Sequence, residues 1–435
     1  MNVVLLSGGS GKRLWPLSND TLSKQFLKLL KDDKGDYESM VQRVRRQLIS
    51  VYPDVDFFIS SNHFQQDIIR RQLGDVKCIF EPSRRNTFPA IALAAAHLHY
   101  NEDKSEDDVF IVCPIDVFAD VKYFELLSGV VNLVSSGKFN IGLMGAKPEF
   151  PTEKYGYILH DDGIVRGFVE KPNEKKAAKL ISEGALWNCG IFAVRIGYVL
   201  EKARAFVEFD SFNDLSDRFS DLPSISFDYE VVEKEPSIGT VVYEGLWKDL
   251  GTWNTLTEEM SDSSMGTDVL VSDSCSNTHV LNMLNIPIIA QDLHDIAVIA
   301  SHDGILVTSK TGSSFVKPLT EKINLRPMYE QRRWGDYRVL EYKQGDERSS
   351  IVKRMRIDAG KAISYQYHNQ RSEVWVVVSG KGILTIDGVD SVVGPQSVIH
   401  IPVGTKHSLL AATELEFIEV QIGDGDLSED DNVRV

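Results

Sequence analysis

A chain of 435 residues is long enough for two or three domains. Its 43% hydrophobic and 25% charged residues are those of an ordinary globular protein and exclude a low-complexity or disulfide-scaffold chain. A formal net charge of −16 argues against nucleic acid and anionic membrane as partners, so any phosphorylated ligand must be held by local cations or metal. The four cysteines, Cys78, Cys113, Cys189 and Cys275, have no C-x-x-C spacing and read as free thiols. The first apolar run is too short for a signal peptide and no stretch has the length of a membrane span, which suggests a cytoplasmic protein.

Residues 2–6 form a short apolar run that reads as a buried strand. It leads into Ser7-Gly8-Gly9-Ser10-Gly11-Lys12-Arg13, and Lys24 follows further on. Glycines let the main chain approach a ligand closely, and successive N–H groups with nearby cations can face phosphate oxygens. The Walker pattern fails because Arg13 follows Gly11-Lys12, and Leu14 stands where the dinucleotide fingerprint needs its third glycine. A plain glycine turn is the competing reading.

The chain then alternates strands and helices. Residues 57–60 and 78–80 read as strands around a polar helix over 63–73. An alanine-rich helix opens near Pro89 and runs to about Tyr100, and the apolar strand 109–113 is followed by a helix over 122–135 and a strand over 141–145. Such βαβ alternation implies a mostly parallel sheet, with ligands beyond the carboxyl ends of its strands, where both the Gly8 loop and Asp116 fall. Asp249 sits in a second loop-like motif, Trp247-Lys248-Asp249-Leu250-Gly251. After a polar linker at residues 261–266 come short strands without long helices, then a connector in which residues 319–324 read as helical. From Arg333 onward, five or more evenly spaced strands suggest a sandwich or small barrel. The acidic run Glu429-Asp430-Asp431 reads as a solvated tail.

The segments Gly8-Gly9-Ser10-Gly11-Lys12-Arg13-Leu14 and Lys24-Gln25 resemble the signature of sugar-phosphate nucleotidyltransferases. The longer form LSGGSGKRLWPLS is similar to that of the mannose-1-phosphate guanylyltransferases. Glu81-Pro82-Ser83-Arg84-Arg85-Asn86-Thr87 resembles their E-P-x-x-R-N-T segment. Tyr155-Gly156-Tyr157, Glu170-Lys171-Pro172 and Trp187-Asn188-Cys189-Gly190 resemble their sugar-phosphate side. The resemblance implies transfer of GMP from GTP to mannose 1-phosphate, giving GDP-mannose and pyrophosphate by in-line attack without a covalent intermediate. It implies Gly8, Gly9, Ser10, Gly11, Lys12, Glu81, Arg85, Asn86 and Thr87 at the nucleotide, and Gly156, Glu170, Lys171 and Asn188 at the sugar phosphate. Arg13 and Lys24 would be catalytic, and Asp116 and Asp249 would hold Mg2+. The family more often has His where Val117 stands, Ser at Cys189 and Pro at Ser23.

Gln366-Tyr367-His368, Arg371, Glu373 and Pro402-Val403-Gly404 through His407 resemble the two cupin motifs and the type II phosphomannose isomerase segment. Gln366, His368, Glu373 and His407 could hold one divalent ion, with zinc a candidate. The implied architecture is α/β: a Rossmann-like nucleotidyltransferase domain (1–260), a small β region (261–330) and a β cupin barrel (331–435). A second activity, isomerising mannose 6-phosphate and fructose 6-phosphate, stays open, because Asn369, Gln370 and Val374 depart from the isomerase pattern. A pyrophosphorylase for another hexose phosphate and a non-catalytic sugar-nucleotide-binding regulator also stay open. Family habit implies a homo-oligomer, a dimer first.

Overall fold

The structure is a computed structural model that describes all residues except 9–11, 20, 324, 346, 347, 426 and 428–430. It divides into two compact units, one of residues 1–14 and 23–261, the other of residues 15–22 and 262–435.

The first unit is built on a nine-stranded sheet. In chain order its strands are β1 (Asn2–Leu6), β2 (Asp56–Asn62), β3 (Lys77–Glu81), β4 (Val109–Pro114), β5 (Ile141–Ala146), β6 (Tyr157–Asp161), β7 (Ile164–Val169), β8 (Leu186–Arg195) and β9 (Ile238–Tyr243). Their spatial order is β3-β2-β1-β4-β8-β5-β9-β7-β6. The β3-β2-β1-β4 half is parallel, while β8 runs antiparallel between β4 and β5. Val4, Phe58, Phe110 and Val112 are fully buried, as continuous apolar runs in a helix-covered sheet require. The helix Thr87–Tyr100 packs into this core with almost its whole circumference buried, which accounts for its alanine-rich composition.

One expected helix is two. Leu126, at φ −75° and ψ −12°, divides residues 122–135 into Val121–Glu125 and Leu127–Ser135. Cys113 and Cys189 are buried, and all four cysteines are free thiols.

The second unit begins with parallel coils. Ser264–Gly266, His279–Asn282 and Ile296–Ser301 stack in parallel register, with Val269–Val271 beside Ile288–Ala290. The polar residues 261–266 are therefore only in part a linker. Their last three form a strand, because Gly266, at φ +100°, lies against the Asn282 carbonyl where a side chain would not fit. Residues 15–22 belong to these coils: Asn19 Nδ2 donates to Asp303 Oδ2 at 2.9 Å, and Ser301 Oγ to the Pro16 carbonyl at 2.7 Å. The connector holds a short helix, Lys317–Thr320, two residues earlier than its apolar pattern predicts; Asn324 lies outside the described residues.

From Tyr329 the chain forms a six-stranded and a five-stranded antiparallel sheet around Tyr337, Ile351, Trp375, Leu409 and Phe417. This is the double-sheet cupin architecture. Among the described residues, no helix is long and apolar enough to cross a membrane.

Candidate functional site

Strand register brings the first site together. Leu6 at the end of β1 pairs with Pro114 at the end of β4, so Ser7-Gly8 and Ile115-Asp116 leave the sheet side by side. The short strands Val117–Ala119 and Trp247–Asp249 pair antiparallel, with Asp249 opposite Val117, and the Leu250 N–H donates to the Asp116 carbonyl. Two aspartates far apart in sequence thus converge on one nitrogen. Lys24 Nζ lies 2.6 Å from Asp116 Oδ2 and 3.5 Å from Asp249 Oδ1. Burial alone would lower the Lys24 pKa, but Asp116 and Asp249 outweigh it and hold the ammonium charged. Asp116 is the mirror case: burial would raise its pKa, and Lys24, helped by the exposed Arg13, holds it below the ordinary carboxylate value.

The loop ends are fixed by a buried web of neutral side chains. Gln25 Nε2 donates to the Ser7 carbonyl and hydroxyl, both at 2.9 Å, and Gln65 Nε2 donates to Ser23 Oγ at 2.6 Å. Gly9, Ser10 and Gly11 lie outside the described residues, as does the side chain of Lys12. Gly8 borders an open cavity of about 270 Å3 together with Thr87, Asp116, Gly156, Glu170, Asn188 and Asp249. Glu81 lies behind Gly8, where a β-carbon would stand 3.9 Å from Glu81 Oε1. Burial raises its pKa, and the Ser60 hydroxyl, donating at 3.0 Å, opposes that rise.

Across the cavity, β8 carries an irregularity between Asn188 and Phe192, with Gly190 at φ +72° against Pro114. That irregularity turns Asn188 toward the cavity, where its Nδ2 donates to Asp228 Oδ1 at 2.8 Å. A β-carbon at Gly156 would meet Glu170 Oε2 at 2.5 Å and Phe168 at 2.8 Å, so the glycine leaves those two side chains their places. Lys171, at φ +44°, pairs with Glu170 Oε1 at 2.5 Å. Tyr155, Trp187 and Trp247 pack edge to face as an aromatic wall.

Two residues of the E-P-x-x-R-N-T segment make local contacts of their own. Arg85 donates from Nε and Nη2 to the Leu222 carbonyl, at 3.1 and 2.8 Å. Asn86, at φ +73°, accepts from the Thr87 N–H as the helix cap. Sequence reasoning missed Asp228 and Gln65 altogether. Gln65 belongs to no motif, and Asp228 lies in the short helix Phe227–Glu230, whose sequence carries no mark of a site.

In the cupin, His368 Nε2 lies 3.0 Å from Glu373 Oε1 and His407 Nε2 3.7 Å from Glu373 Oε2, with all three residues buried. Neither Nε2 has a hydrogen-bond partner of acceptable geometry. Two orphaned imidazole nitrogens turned on one carboxylate form a donor set that suits a divalent cation. Gln366 is the strand neighbour of His407. Glu373 is further held by Arg371 Nε at 3.1 Å, Trp375 Nε1 at 3.0 Å and Gln421 Nε2 at 3.2 Å. Burial would raise the Glu373 pKa, and His368 first, with Arg371 and His407, holds it well below the usual range. Asp431 is not solvated tail: its carboxylate accepts from the Asn369 and Gln370 N–H groups at 2.9 and 3.2 Å. Glu429 and Asp430 lie outside the described residues.

A glycine loop beside paired carboxylates on an α/β sheet, followed by a cupin, defines a nucleotidyltransferase with an isomerase-like C-terminal domain. The nucleotidyl transferase family model matches residues 2–265, and the mannose-6-phosphate isomerase C-terminal model matches residues 323–435. A mannose-1-phosphate guanylyltransferase of Escherichia coli K12 is 31% identical, over 99% of this chain and 97% of its own length. A xanthan biosynthesis protein of Xanthomonas campestris is likewise 31% identical, over 99% of this chain and 97% of its own. The chain belongs to the mannose-1-phosphate guanylyltransferases. A solved structure from Thermus thermophilus, described as a mannose-1-phosphate geranyltransferase, shares the fold. It has a TM-score of 0.62 and 24% identity, over 74% of this chain and 99% of that one. Nucleotidyltransferases of this family generally use a divalent metal such as Mg2+.

The Asp228 carboxyl leads to a test. Burial first, then the Glu170 charge, pushes its pKa up to about 7. A carboxyl whose folded pKa is raised stabilises the fold below its unfolded value and loses that contribution as pH rises toward the folded one. Asp228→Asn should therefore unfold several degrees above wild type at pH 8, with the gap closing below about pH 4. Differential scanning fluorimetry at the two pH values measures this, and a gap unchanged by pH would count against the buried charge.

Proposed function

We propose that the first unit transfers GMP from GTP to mannose 1-phosphate, releasing pyrophosphate and forming GDP-mannose. The convergence of Asp116, Asp249 and Lys24 beside the cavity that Gly8 borders is the observation that carries this reading. Asp116 and Asp249 would hold the Mg2+, because their hard carboxylate oxygens both lie beside Lys24 Nζ, on one cavity. When bound, the ion neutralises charge on the triphosphate. Gly8 and its neighbours admit phosphate oxygens to the backbone N–H groups, and Arg13 and Lys24 face the charge that builds on the α-phosphate and the leaving pyrophosphate. Glu170 and Asn188 orient the hexose hydroxyls, and Lys171 meets the sugar phosphate. The attacking phosphate is already ionised near neutral pH, so positioning and electrostatics carry the rate without a strong general base.

Glu81 reads the guanine edge through its carboxylate, since N1–H and N2–H are both donors. Asn86 and Thr87 set the helix that forms that side of the site. The assembly we assign is a homodimer, and the location that suits GTP as substrate is the cytoplasm. The cupin triad favours a second reading, a divalent ion on His368, Glu373 and His407 that would support isomerisation of mannose 6-phosphate and fructose 6-phosphate.

Pyrophosphate release from GTP and mannose 1-phosphate with Mg2+ tests the main reading; silence with every nucleotide and sugar phosphate would sink it. In that assay Lys24→Ala should lower kcat by about 10²- to 10³-fold. Near-normal turnover would remove Lys24 from catalysis. Glu81→Gln should narrow the preference for GTP over ATP, measured as the ratio of kcat/KM values, and an unchanged ratio would remove the base-reading role. Elemental analysis of the purified full chain should find one tightly held transition-metal or zinc ion that is lost in His407→Ala. Metal-free wild type after growth in zinc would leave the cupin a packing domain.

A further inference from the structure

Residues 85–88 make four hydrogen bonds to a single stretch of chain. Arg85 donates two hydrogen bonds to the Leu222 carbonyl, at 3.1 and 2.8 Å. The Thr87 hydroxyl accepts from the Phe227 N–H at 2.8 Å. The Phe88 N–H donates to the Ile225 carbonyl at 3.1 Å. Between the one-turn helix Phe219–Asp221 and the short helix Phe227–Glu230, this stretch has no ladder to satisfy its main chain. Buried backbone groups need partners, and residues 85–88 supply them. The next residue after Phe227 is Asp228, which borders the cavity beside Glu170 and accepts from Asn188. Phe227 is fully buried against Phe192, so a shift at Leu222 or Phe227 moves Asp228 with it.

We propose that Asp228 binds a hydroxyl of the hexose and that Arg85 is its positioning residue, serving the sugar subsite and not the nucleotide. This rests on reading the Gly156–Glu170–Asn188 side of the cavity as the sugar side. Arg85 acts through the main chain of residues 222–227, its planar guanidinium giving two donors to one carbonyl, a geometry that lysine can match only in part. Asp228 and Glu170 form a pair of carboxyls on one wall, able to accept from or donate to neighbouring hydroxyls. Burial has already brought the Asp228 pKa to about 7, where both protonation states are within reach.

The test is steady-state pyrophosphate release by the full chain, with GTP and mannose 1-phosphate varied separately. Arg85→Ala should raise KM for mannose 1-phosphate about tenfold, the cost of one weakened hydrogen bond, while KM for GTP stays within about twofold. KM does not depend on how much of the sample is folded, so partial misfolding would lower only the apparent kcat. Arg85→Lys should recover part of the lost sugar affinity. In an Asp228→Asn background, Arg85→Ala should add little further rise, because both substitutions remove the same interaction. A KM for GTP that rises as much as that for the sugar phosphate, no change in either, or additive effects in the double variant would each overturn the proposal. Wild type that releases no pyrophosphate would instead bring down the guanylyltransferase reading itself.

Discussion

One ammonium between two carboxylates is the interaction on which the first unit's chemistry depends. Lys24, Asp116 and Asp249 come from three separate parts of the chain, and each would be costly to bury without the others. Their meeting needs the β1–β4 register, which sets Ser7-Gly8 next to Ile115-Asp116. It also needs the two-strand ribbon that lays Asp249 opposite Val117. Lys24 and Asp116 favour each other's ionised forms, so positive and negative charge stay fixed where a triphosphate has to be neutralised. Removing one member would leave like or unpaired charges behind.

The cavity beside that cluster is shaped as much by what is absent as by what is present. Gly156 leaves room for the Glu170 carboxylate and the Phe168 ring, and the irregularity at Asn188–Gly190 turns an amide inward from a strand that would otherwise alternate. The aromatic wall of Tyr155, Trp187 and Trp247 closes one side with apolar surface, leaving carboxyls and an amide as its polar handles. An apolar wall with a few placed polar groups is the usual composition of a sugar-sized site. The cupin repeats the economy with different chemistry: Glu373 gathers Arg371, Trp375, Gln421 and two imidazoles inside a double sheet.

Much of this was legible before any coordinates. Short apolar runs between polar helices announce buried strands, and the order of motifs named both the nucleotidyltransferase and the cupin. Asp116, Asp249, His368, Glu373 and His407 were each flagged by a motif, and the structure brings each set together. What escaped was whatever depends on a partner distant in sequence. The hold of the Arg85 guanidinium on the Leu222 carbonyl has no mark in the E-P-x-x-R-N-T motif. Asp228 had no local mark, and Asp431 looked like part of a solvated acidic end until its carboxylate was seen to accept from Asn369 and Gln370. Residues 264–266 looked like linker because their strand is held by parallel neighbours and not by apolar alternation.

The amino-acid sequence by itself determined the local terms: where glycine frees the main chain near Gly8 and Gly156, where strands start and stop, and which side chains bring charge or metal-binding nitrogen. Those follow from steric and solvation preferences that act over a few residues. Tertiary structure alone decided which charges meet. Pairing Asp249 with Val117, setting Asn188 against Asp228, and tying residues 222–227 to Arg85 and Thr87 are contacts across tens to more than a hundred residues. Their stability comes from burying the core strands together, a free energy that no single stretch of the chain carries.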